Sequence, residues 1–562
     1  MVREDTPAVI PATRKAARDR RTVVRLVHRA AADPTLGRSV PAAAAAENVP
    51  ASTAYRWRAH KEAIDAPAAE RDFFYNPDGL ELLHQIVTAL HLVFVQAGGC
   101  GVDRVCQFLE LSGLARFVAA SHGYHHDLAA RMEQWLGDYG DEQRTRLGAT
   151  MTPRLIVVCE DETFHPETCL VAIDAESGLI LLECYREHRD GATWTAALSE
   201  ALAGLPVQVV RVVGDEAKGL IAHARDGLGV EHGSDLFHVQ YDLTKATARG
   251  LALCLDQPRT VLEAAERRTQ AWRDAQADYR RGPRRPGHPM NYDREIAQAQ
   301  AAEDVACAAY EAVVADQANV RAAVREIGDA YHPFHLVTGA RQAVEQVQER
   351  VKAAFATIDE VADRARLSER CRERINKARR VQGKLVAGVA FCHGQLDRQL
   401  TALNLAPVVL EVVRTQLVPG LYLARAAAKA RTVAERAAIL AVSTSLLAQA
   451  RDPTSPFMAI DEPVRQRVEA VVQACLALFV RSSACVEGRN GHLARYHHGL
   501  HRLSKRRLKA LTVIANYYSR RDDNTTAAER FFGQKPDDLF DWLLVHLDVP
   551  AQPRAKRLRP AA

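Results

Sequence analysis

Two alternating apolar runs, each followed directly by an aspartate, constrain this chain more than any other feature. The first run, 154–160, precedes Asp161, and the second, 207–214, precedes Asp215. Alternation with a period of two predicts β-strands whose side chains point to opposite faces of a sheet. A carboxylate at the tip of a buried strand is held rigidly and opens to solvent, which suits a metal ligand. A third carboxylate would complete a site for two divalent metals that act on phosphodiesters.

Composition bounds the class of protein without deciding it. The 562 residues predict roughly three to four domains, and the net charge of +5 is too small to indicate nucleic-acid binding by itself. The 11 cysteines contain no CxxC pair, which favours reduced thiols in a cytosolic protein over a zinc site or a disulfide framework. Without a signal core or an apolar run long enough to span a bilayer, we expect no membrane partner. Local basic clusters, which suit either a polyanion or a solvated helix face, lie at 14–25, 56–61, 280–285, 502–509 and 554–559.

The N-terminal segment, 1–67, has the spacing of a helix-turn-helix. A basic helical pattern at 14–32 precedes a helix at 42–47 that Ser39 would cap, a tight turn at 48–50 and a second helix from 52. An ordinary helical hairpin with an alanine-rich core is the alternative. The residues that the second helix would present to DNA are Ser52, Thr53, Tyr55, Arg56 and Arg58.

A change of pattern near residue 151 marks a mixed α/β region between two helical ones. Residues 68–150 predict helices, and 245–480 predict long antiparallel helices with almost no strand. Between them, the expected order is strands at 155–159, 168–173 and 179–185, a helix at 193–205, a strand at 207–213, a helix at 218–228 and a fifth strand at 235–240. The order β-β-β-α-β-α-β, with acidic residues at the ends of the first and fourth strands, is that of a ribonuclease-H-like core.

A candidate third carboxylate follows the helical block. Glu487 opens a polar helix on which Asn490 and His498 share its face, with Arg489 and Arg495 at the flanks. An acid, an amide and cationic groups near one surface suit metal binding beside a phosphate backbone. The alternative is a capping or exposed glutamate.

Four short segments resemble the DDE transposases of bacterial insertion sequences. They are Cys-Glu-Asp-Glu-Thr at 159–163, Gly-Asp-Glu-Ala-Lys at 214–218, Asp-Leu-Phe-His-Val at 235–239 and Glu-Gly-Arg-Asn at 487–490. The segments 525–533 and 539–543 look like the ending of one bacterial transposase group, so the resemblance extends over most of the chain. In that superfamily a helical insertion commonly separates the second aspartate from the glutamate, and here 245–480 would be that insertion.

The resemblance implies metal-dependent DNA cleavage and strand transfer. Asp161, Asp215 and Glu487 would be the catalytic ligands of two Mg²⁺ (or Mn²⁺) ions. The residues implied as DNA contacts are Arg489, Asn490 and Arg495. Three further residues would lie around the metal ligands or contact DNA, namely His238, Gln240 and His498. The alternative for His238 is a histidine of the core. Adjacent acids leave the ligand choice open, namely Glu160 and Glu162 beside Asp161 and Glu216 beside Asp215.

We therefore expect an α+β, helix-rich multidomain fold in which a ribonuclease-H-like core is interrupted by an all-helical insertion. The expected domains are a helix-turn-helix at 1–67, a helical domain at 68–150, the first part of the core at 151–244, the insertion at 245–480, the second part of the core at 481–547 and a basic disordered tail at 548–562. Expected partners are double-stranded DNA, at transposon ends and at the target, and further copies of the chain, in a bacterial cytoplasm on the nucleoid. The rivals are a ribonuclease-H-like nuclease or resolvase without strand transfer, and a non-enzymatic DNA-binding protein, including an inactive or domesticated transposase.

Overall fold

The chain divides into two compact units, one of which is built from two separate segments of the sequence. The computed structural model describes residues 19–31, 39–164, 167–283, 287–288, 290–500 and 503–553, with only the backbone of 30, 31 and 497–500. One unit, here called the terminal unit, combines 1–152 with 494–562, and the other, the sheet unit, spans 153–493. The chain after residue 494 therefore groups with the N-terminal helices, whereas the predicted division places 481–547 with the core.

The terminal unit is helical throughout its described residues. Its helices are α1 Arg20–Ala31, α2 Val40–Ala46, α3 Ala51–Glu62, α4 Ala68–Phe74, α5 Pro77–Leu90, α6 Val102–Leu111, α7 His122–Thr150, α20 Lys505–Tyr517, α21 Ala527–Phe532 and α22 Leu539–His546. The helix α19 Ala484–Leu500 crosses from the sheet unit into this one.

The first three helices follow the predicted boundaries closely. Ser39 Oγ accepts the Ala42 N–H and a proline occupies the first turn of α2, as the capping pattern predicts. Asn48, in the turn to α3, has a φ of 50°, a left-handed conformation that asparagine tolerates better than most residues. Leu26 of α1 packs with Val40 and Ala54 of the following helices, so α1, α2 and α3 share one small core. The predicted helical residues 14–18 lie outside the described part of the chain.

One stretch of the terminal unit, Pro77–Ala97, is long and apolar enough to cross a membrane by length and composition alone, where the sequence analysis expected none. It consists of α5 and a π-helical continuation, His91–Ala97. Of its most apolar 18-residue window, 56% is buried inside the protein. Leu83 and Leu92 are almost fully buried, which is the burial expected of a core helix.

The sheet unit contains a five-stranded mixed sheet in the order β3-β2-β1-β4-β5. The strands are β1 Arg154–Phe164, β2 Thr168–Asp174, β3 Ile180–Arg186, β4 Val207–Gly214 and β5 Glu231–Ser234; α8 Gly191–Leu202 precedes β4, and α9 Lys218–Ala222 with its π-helical continuation His223–Gly227 precedes β5. β1, β2 and β3 form an antiparallel meander, and β1, β4 and β5 are parallel. The connection of parallel strands through helices is the expected one.

Two strand predictions are wrong. β1 continues through Asp161 to Phe164, because residues past 159 pair with β2, so Asp161 does not sit at the strand's tip. The fifth strand is Glu231–Ser234, and the predicted strand at 235–240 is the start of a long helix. Asp235 causes this change, since its Oδ1 accepts the Phe237 N–H at 2.7 Å and caps that helix.

The remainder of the sheet unit is a block of helices, as the pattern at 245–480 predicts. They are α10 Leu236–Arg281, α11 Tyr292–Ala330, α12 Val344–Arg364, α13 Glu369–Arg379, α14 Gln382–Ala402, α15 Pro407–Val412, α16 Val418–Ala427, α17 Val433–Ala450 and α18 Glu462–Ala477, with a π-helical turn Val413–Leu417 between α15 and α16. α10 and α11 are antiparallel, since Gln240 bonds Val324 and Gln276 bonds Asp293. One apolar core, with Ile327, Val351 and Leu385 fully buried, runs through the block.

Candidate active site

The parallel pairing of β1 and β4 places Asp161 and Asp215 in the same phase. Cys159 is the last β1 residue that pairs with β4, opposite Val213. Each aspartate follows two residues later, so both side chains point to the same face of the sheet where the strands part. Their proximity is electrostatic as well as topological, since the charge of Asp215 contributes to raising the Asp161 pKa. The predicted pairing of these two residues is thus present in the sheet.

Helix α19 covers the same face and brings Asn490 to Asp161. Asn490 Nδ2 donates to Asp161 Oδ2 at 2.8 Å. One residue earlier, Arg489 makes a two-pronged ion pair with Glu183 of β3, at 2.7 and 2.6 Å. Asp161 and Glu183 are in register through Val171 of β2, so α19 lies across β1 and β3 on one face.

Glu487, one turn before Asn490, meets a histidine from the first turn of α10. His238 Nε2 lies 3.2 Å from Glu487 Oε1 and 3.9 Å from Asp235 Oδ2. Ser483 Oγ donates to the same Asp235 oxygen at 2.6 Å. The buried Asp235 therefore ties the start of α10 to the start of α19, and His238 stands between Asp235 and Glu487.

The acids that left the ligand choice open are engaged elsewhere. Strand alternation turns Glu160 and Glu162 to the opposite face of the sheet, where Glu160 faces the buried His223 at 3.3 Å. Glu162 accepts from Arg189 at 2.8 Å and from the Trp194 indole at 3.2 Å.

Beside the other aspartate, Glu216 Oε1 accepts from the Ser234 hydroxyl and its other oxygen from Lys384. Lys384 belongs to α14, so the helical block contacts this end of the sheet. Asp161 and Asp215 are therefore the acids left facing Glu487.

Charge accumulates around Asp161. Burial raises the pKa of its carboxyl to about 6, against the Glu162 N–H bond that lowers it, and the nearby charges of Glu487 and Asp215 raise it further. Among the described residues, none of Asp161, Asp215 and Glu487 forms an ion pair with lysine or arginine. Neighbouring acids with no strong cation between them store repulsion that a bound cation would relieve.

The types of ligand in this cluster suit a hard divalent cation, but the distances between them do not. Three carboxylates and the amide oxygen of Asn490 are the ligands that Mg²⁺ and Mn²⁺ prefer. Asn490 Oδ1 is buried and has no hydrogen-bond partner, as an unused ligand atom would be. In the described part of the chain, however, no three His, Cys, Asp or Glu side chains converge closely enough to hold an ion as they stand. Carboxylate rotation would be needed for joint coordination.

Other predicted residues lie away from this cluster. Gln240 donates to the Val324 carbonyl and so joins α10 to α11. Arg489 is buried against Glu183, where no DNA phosphate reaches it. Arg495 is exposed and belongs to the terminal unit, and the His498 side chain lies outside the described residues. On α3, Ser52, Tyr55, Arg56 and Arg58 are exposed and Thr53 is half-buried.

Sequence reasoning missed the residues that organise the cluster. Asp235 was named in a strand-like run and in one of the transposase-like segments, although an aspartate directly before an apolar helical pattern is also a capping signal. Ser483 and Lys384 carried no signal, because a lone serine or lysine says nothing about a partner more than 150 residues away.

A comparison with protein families matches the C-terminal part of the chain. Residues 413–559, about a quarter of the chain, match a family of unknown function, DUF6399. The matched segment includes Glu487 and Asn490 but neither Asp161 nor Asp215. No curated protein matches the chain.

Proposed function

We propose that the protein is a DNA transposase that cleaves and joins DNA strands at an acidic, metal-dependent site. The observation that carries the proposal is the placement of Asp161 and Asp215 on one face of the sheet under α19, the helix that carries Glu487, with no lysine or arginine ion pair to any of the three among the described residues. Glu162, Glu183 and Glu216, by contrast, are each ion-paired with an arginine or a lysine. The resemblance of the segments around them to DDE transposases supports the same assignment.

We propose further that the sheet is a ribonuclease-H-like core. The strand order β3-β2-β1-β4-β5, with β2 antiparallel and β4 parallel to β1, supports this. So does the place of the acids, on the two central strands and on a helix that packs across them. The helical block would then be the insertion between Asp215 and Glu487.

Asp161, Asp215 and Glu487 would hold two Mg²⁺ or Mn²⁺ ions. When bound, such ions lower the pKa of an attacking water or hydroxyl and stabilise the leaving oxygen. Asn490 orients Asp161 by its hydrogen bond, and its free amide oxygen faces the same space. The contact of His238 with Glu487 at 3.2 Å orients the glutamate, and the buried hydrogen bond from Ser483 to Asp235 holds both helix starts in place.

The test uses the full chain and DNA that contains both flanks of its own coding sequence. With Mg²⁺ or Mn²⁺ we expect nicked or cut ends and joined products on sequencing gels. Asp161→Asn, Asp215→Asn and Glu487→Gln should each lower cleavage by about a thousandfold or more. Glu162→Gln and Glu216→Gln are the matched controls, since they neutralise adjacent acids on the same strands and should retain most activity.

Several results would decide against the proposal. Normal cleavage by Asp161→Asn would remove Asp161 from the site. Cutting without joined products would favour a nuclease or resolvase, and DNA binding without cutting would favour a non-enzymatic protein.

DNA recognition is proposed for the helix pair α2 and α3, as a helix-turn-helix. Support comes from the four-residue connection and from the exposed Tyr55, Arg56 and Arg58 on α3. Replacing Arg56 and Arg58 with alanine should weaken end binding and reduce its salt dependence. Arg104→Ala, an exposed arginine of the same unit, is the control. We also propose that copies of the chain assemble on DNA to hold two ends together.

A further inference from the structure

We propose that the exposed start of α10 binds an unpaired DNA strand beside the acidic cluster, with its bases stacked on Phe237 and Tyr241. This inference rests on the proposed function and adds to it a substrate feature, a single-stranded segment next to the cleaved bond. The surface is defined by Phe237, Tyr241, Lys245 and Arg249, and is called the stacking surface below.

The aromatic part of the stacking surface is ordered by the helix. Phe237 and Tyr241 are four residues apart, and their rings stack with centroids 6.0 Å apart and planes 18° from parallel. Both remain about half exposed, at 50% and 49%. Aromatic rings that are half exposed leave apolar area in water, which favours an external partner with a flat face.

The cationic part follows on the same helix face. Lys245 Nζ lies 5.2 Å from the centre of the Tyr241 ring and 3.3 Å from its hydroxyl. Arg249 is exposed one turn further along. On the neighbouring α13, Lys377 is 64% exposed and pairs with Asp242 at 3.3 Å. Aromatic rings followed by cations at one-turn spacing match bases followed by their phosphates.

The stacking surface adjoins the acidic cluster through one residue. His238 follows Phe237 directly in the sequence and contacts Glu487 at 3.2 Å. The Phe237 N–H is itself held by Asp235, the residue that anchors α10 to α19. A nucleotide stacked on Phe237 would therefore lie beside His238, whose ring centre is 5.7 Å from that of Phe237 and which contacts Glu487.

The chemistry selects an unpaired strand over a duplex. Base faces in a duplex are covered by neighbouring base pairs, so a ring can stack only on a base that has left the helix or never entered it. A surface that bound only duplex phosphates would use the cations, and the two aromatic rings would make no contact with the DNA. Single-stranded DNA is the ligand that uses both halves of the surface.

The experiment compares single-stranded and duplex DNA on the full chain, without divalent metal so that cleavage does not intervene. The probes are a fluorescent single strand of mixed sequence, the duplex of the same sequence, and a strand carrying 2-aminopurine. The variants are Phe237→Ala/Tyr241→Ala, Phe237→Trp/Tyr241→Trp, and the control Leu253→Ala, which removes another exposed apolar side chain from α10.

We expect the double alanine variant to bind the single strand about tenfold or more weakly, with duplex affinity within about twofold of the wild type. The tryptophan variant should bind at least as tightly as the wild type and quench 2-aminopurine, and Leu253→Ala should change nothing. Unchanged single-strand binding by the double alanine variant, or an equal loss for duplex, would overturn the inference.

Failure of the proposed function and failure of the stacking surface give different results in these assays. If the double alanine variant loses single-strand affinity and the wild type does not cut DNA, the stacking surface stands and the enzymatic proposal falls. If the wild type cuts and joins DNA while the double alanine variant keeps full single-strand affinity, the enzymatic proposal stands and the stacking surface falls.

Discussion

Acidic residues around the central strands fall into two groups that behave oppositely. Glu162, Glu183 and Glu216 each pair with an arginine or lysine, and Glu183 with Arg489 is almost wholly buried. Asp161, Asp215 and Glu487 have no lysine or arginine ion pair among the described residues, and burial together with the charges of Glu487 and Asp215 raises the Asp161 pKa. The ion pairs of the first group offset part of the cost of burying their charges, whereas the charges of the second group disfavour the ionised form of Asp161.

Acids of the two groups can be separated by whether their removal affects stability or activity. A matched acid should cost stability when it is removed, because its partner is left alone. An unmatched acid should cost activity, and its removal should leave stability unchanged or raise it.

Removing Glu183 should destabilise the sheet unit most. Glu183→Ala leaves the Arg489 guanidinium buried without its counter-ion, at a cost of about 3–5 kcal/mol. Urea unfolding followed by tryptophan fluorescence would measure it, since Trp194 is fully buried in the same unit. The paired replacement Glu183→Leu/Arg489→Met should lower the free energy of unfolding much less than Glu183→Ala does. A loss below about 1 kcal/mol for the single variant would contradict the assignment.

Neutralising Asp161 should stabilise the metal-free protein at alkaline pH. Because its folded pKa of about 6 exceeds the usual 3.8, its charged form is disfavoured in the fold. The wild type therefore loses stability as pH rises from about 4 through 6, whereas Asp161→Asn does not. At pH near 8 the variant should be more stable by about 1–3 kcal/mol.

Thermal unfolding across pH would check the Asp161 effect. The gap between variant and wild type should close near pH 4, and Mg²⁺ should stabilise the wild type more than the variant. A variant less stable than the wild type at pH 8 would show that Asp161 belongs with the matched acids.

Ser483→Ala tests an acid that is matched by a hydroxyl. Asp235 is buried and accepts a hydrogen bond from the Ser483 hydroxyl, with 2.6 Å between the two oxygens. Loss of that donor should lower the free energy of unfolding by about 1–2 kcal/mol. Ser482→Ala, at the adjacent position, is the control. If Ser483→Ala also lowers cleavage while Ser482→Ala does not, the Asp235 link positions Glu487.

Lys384→Met should have the smallest effect. Lys384 and Glu216 are each about one-third exposed, at 32% and 29%, so water screens their attraction. We expect a loss of no more than about 1 kcal/mol, with cleavage retained. Loss of cleavage in this variant, in an assay where Glu216→Gln is active, would give Lys384 a role on DNA.

The sequence predicted regular elements better than it predicted their ends. Apolar alternation located β1 to β4, and helical periodicity located α10, α11 and α12, because both signals are local. β1 ran past Asp161 since pairing with β2 extends it, and the run at 235–240 became a helix since Asp235 caps it. Both errors arise from contacts that a local pattern does not contain.

The candidate site shows the same division. Asp161, Asp215, Glu487, Asn490 and His238 were named from sequence, and the fold brings all five to one face of the sheet. Which of Asp161, Glu160 and Glu162 faces α19 could not be told from the sequence, because α19 is more than 300 residues away in the chain. Arg489 could not be separated from a DNA contact until Glu183 was seen beside it.

The sequence alone predicted a strand-rich segment between helical ones, and it placed one aspartate in β1 and one directly after β4. Those properties follow from side-chain periodicity, which needs no partner. Only the tertiary structure decided which acids are neutralised and which face one another, because charge pairing depends on distances between residues far apart in the chain. The same long-range geometry put the aromatic start of α10 beside Glu487.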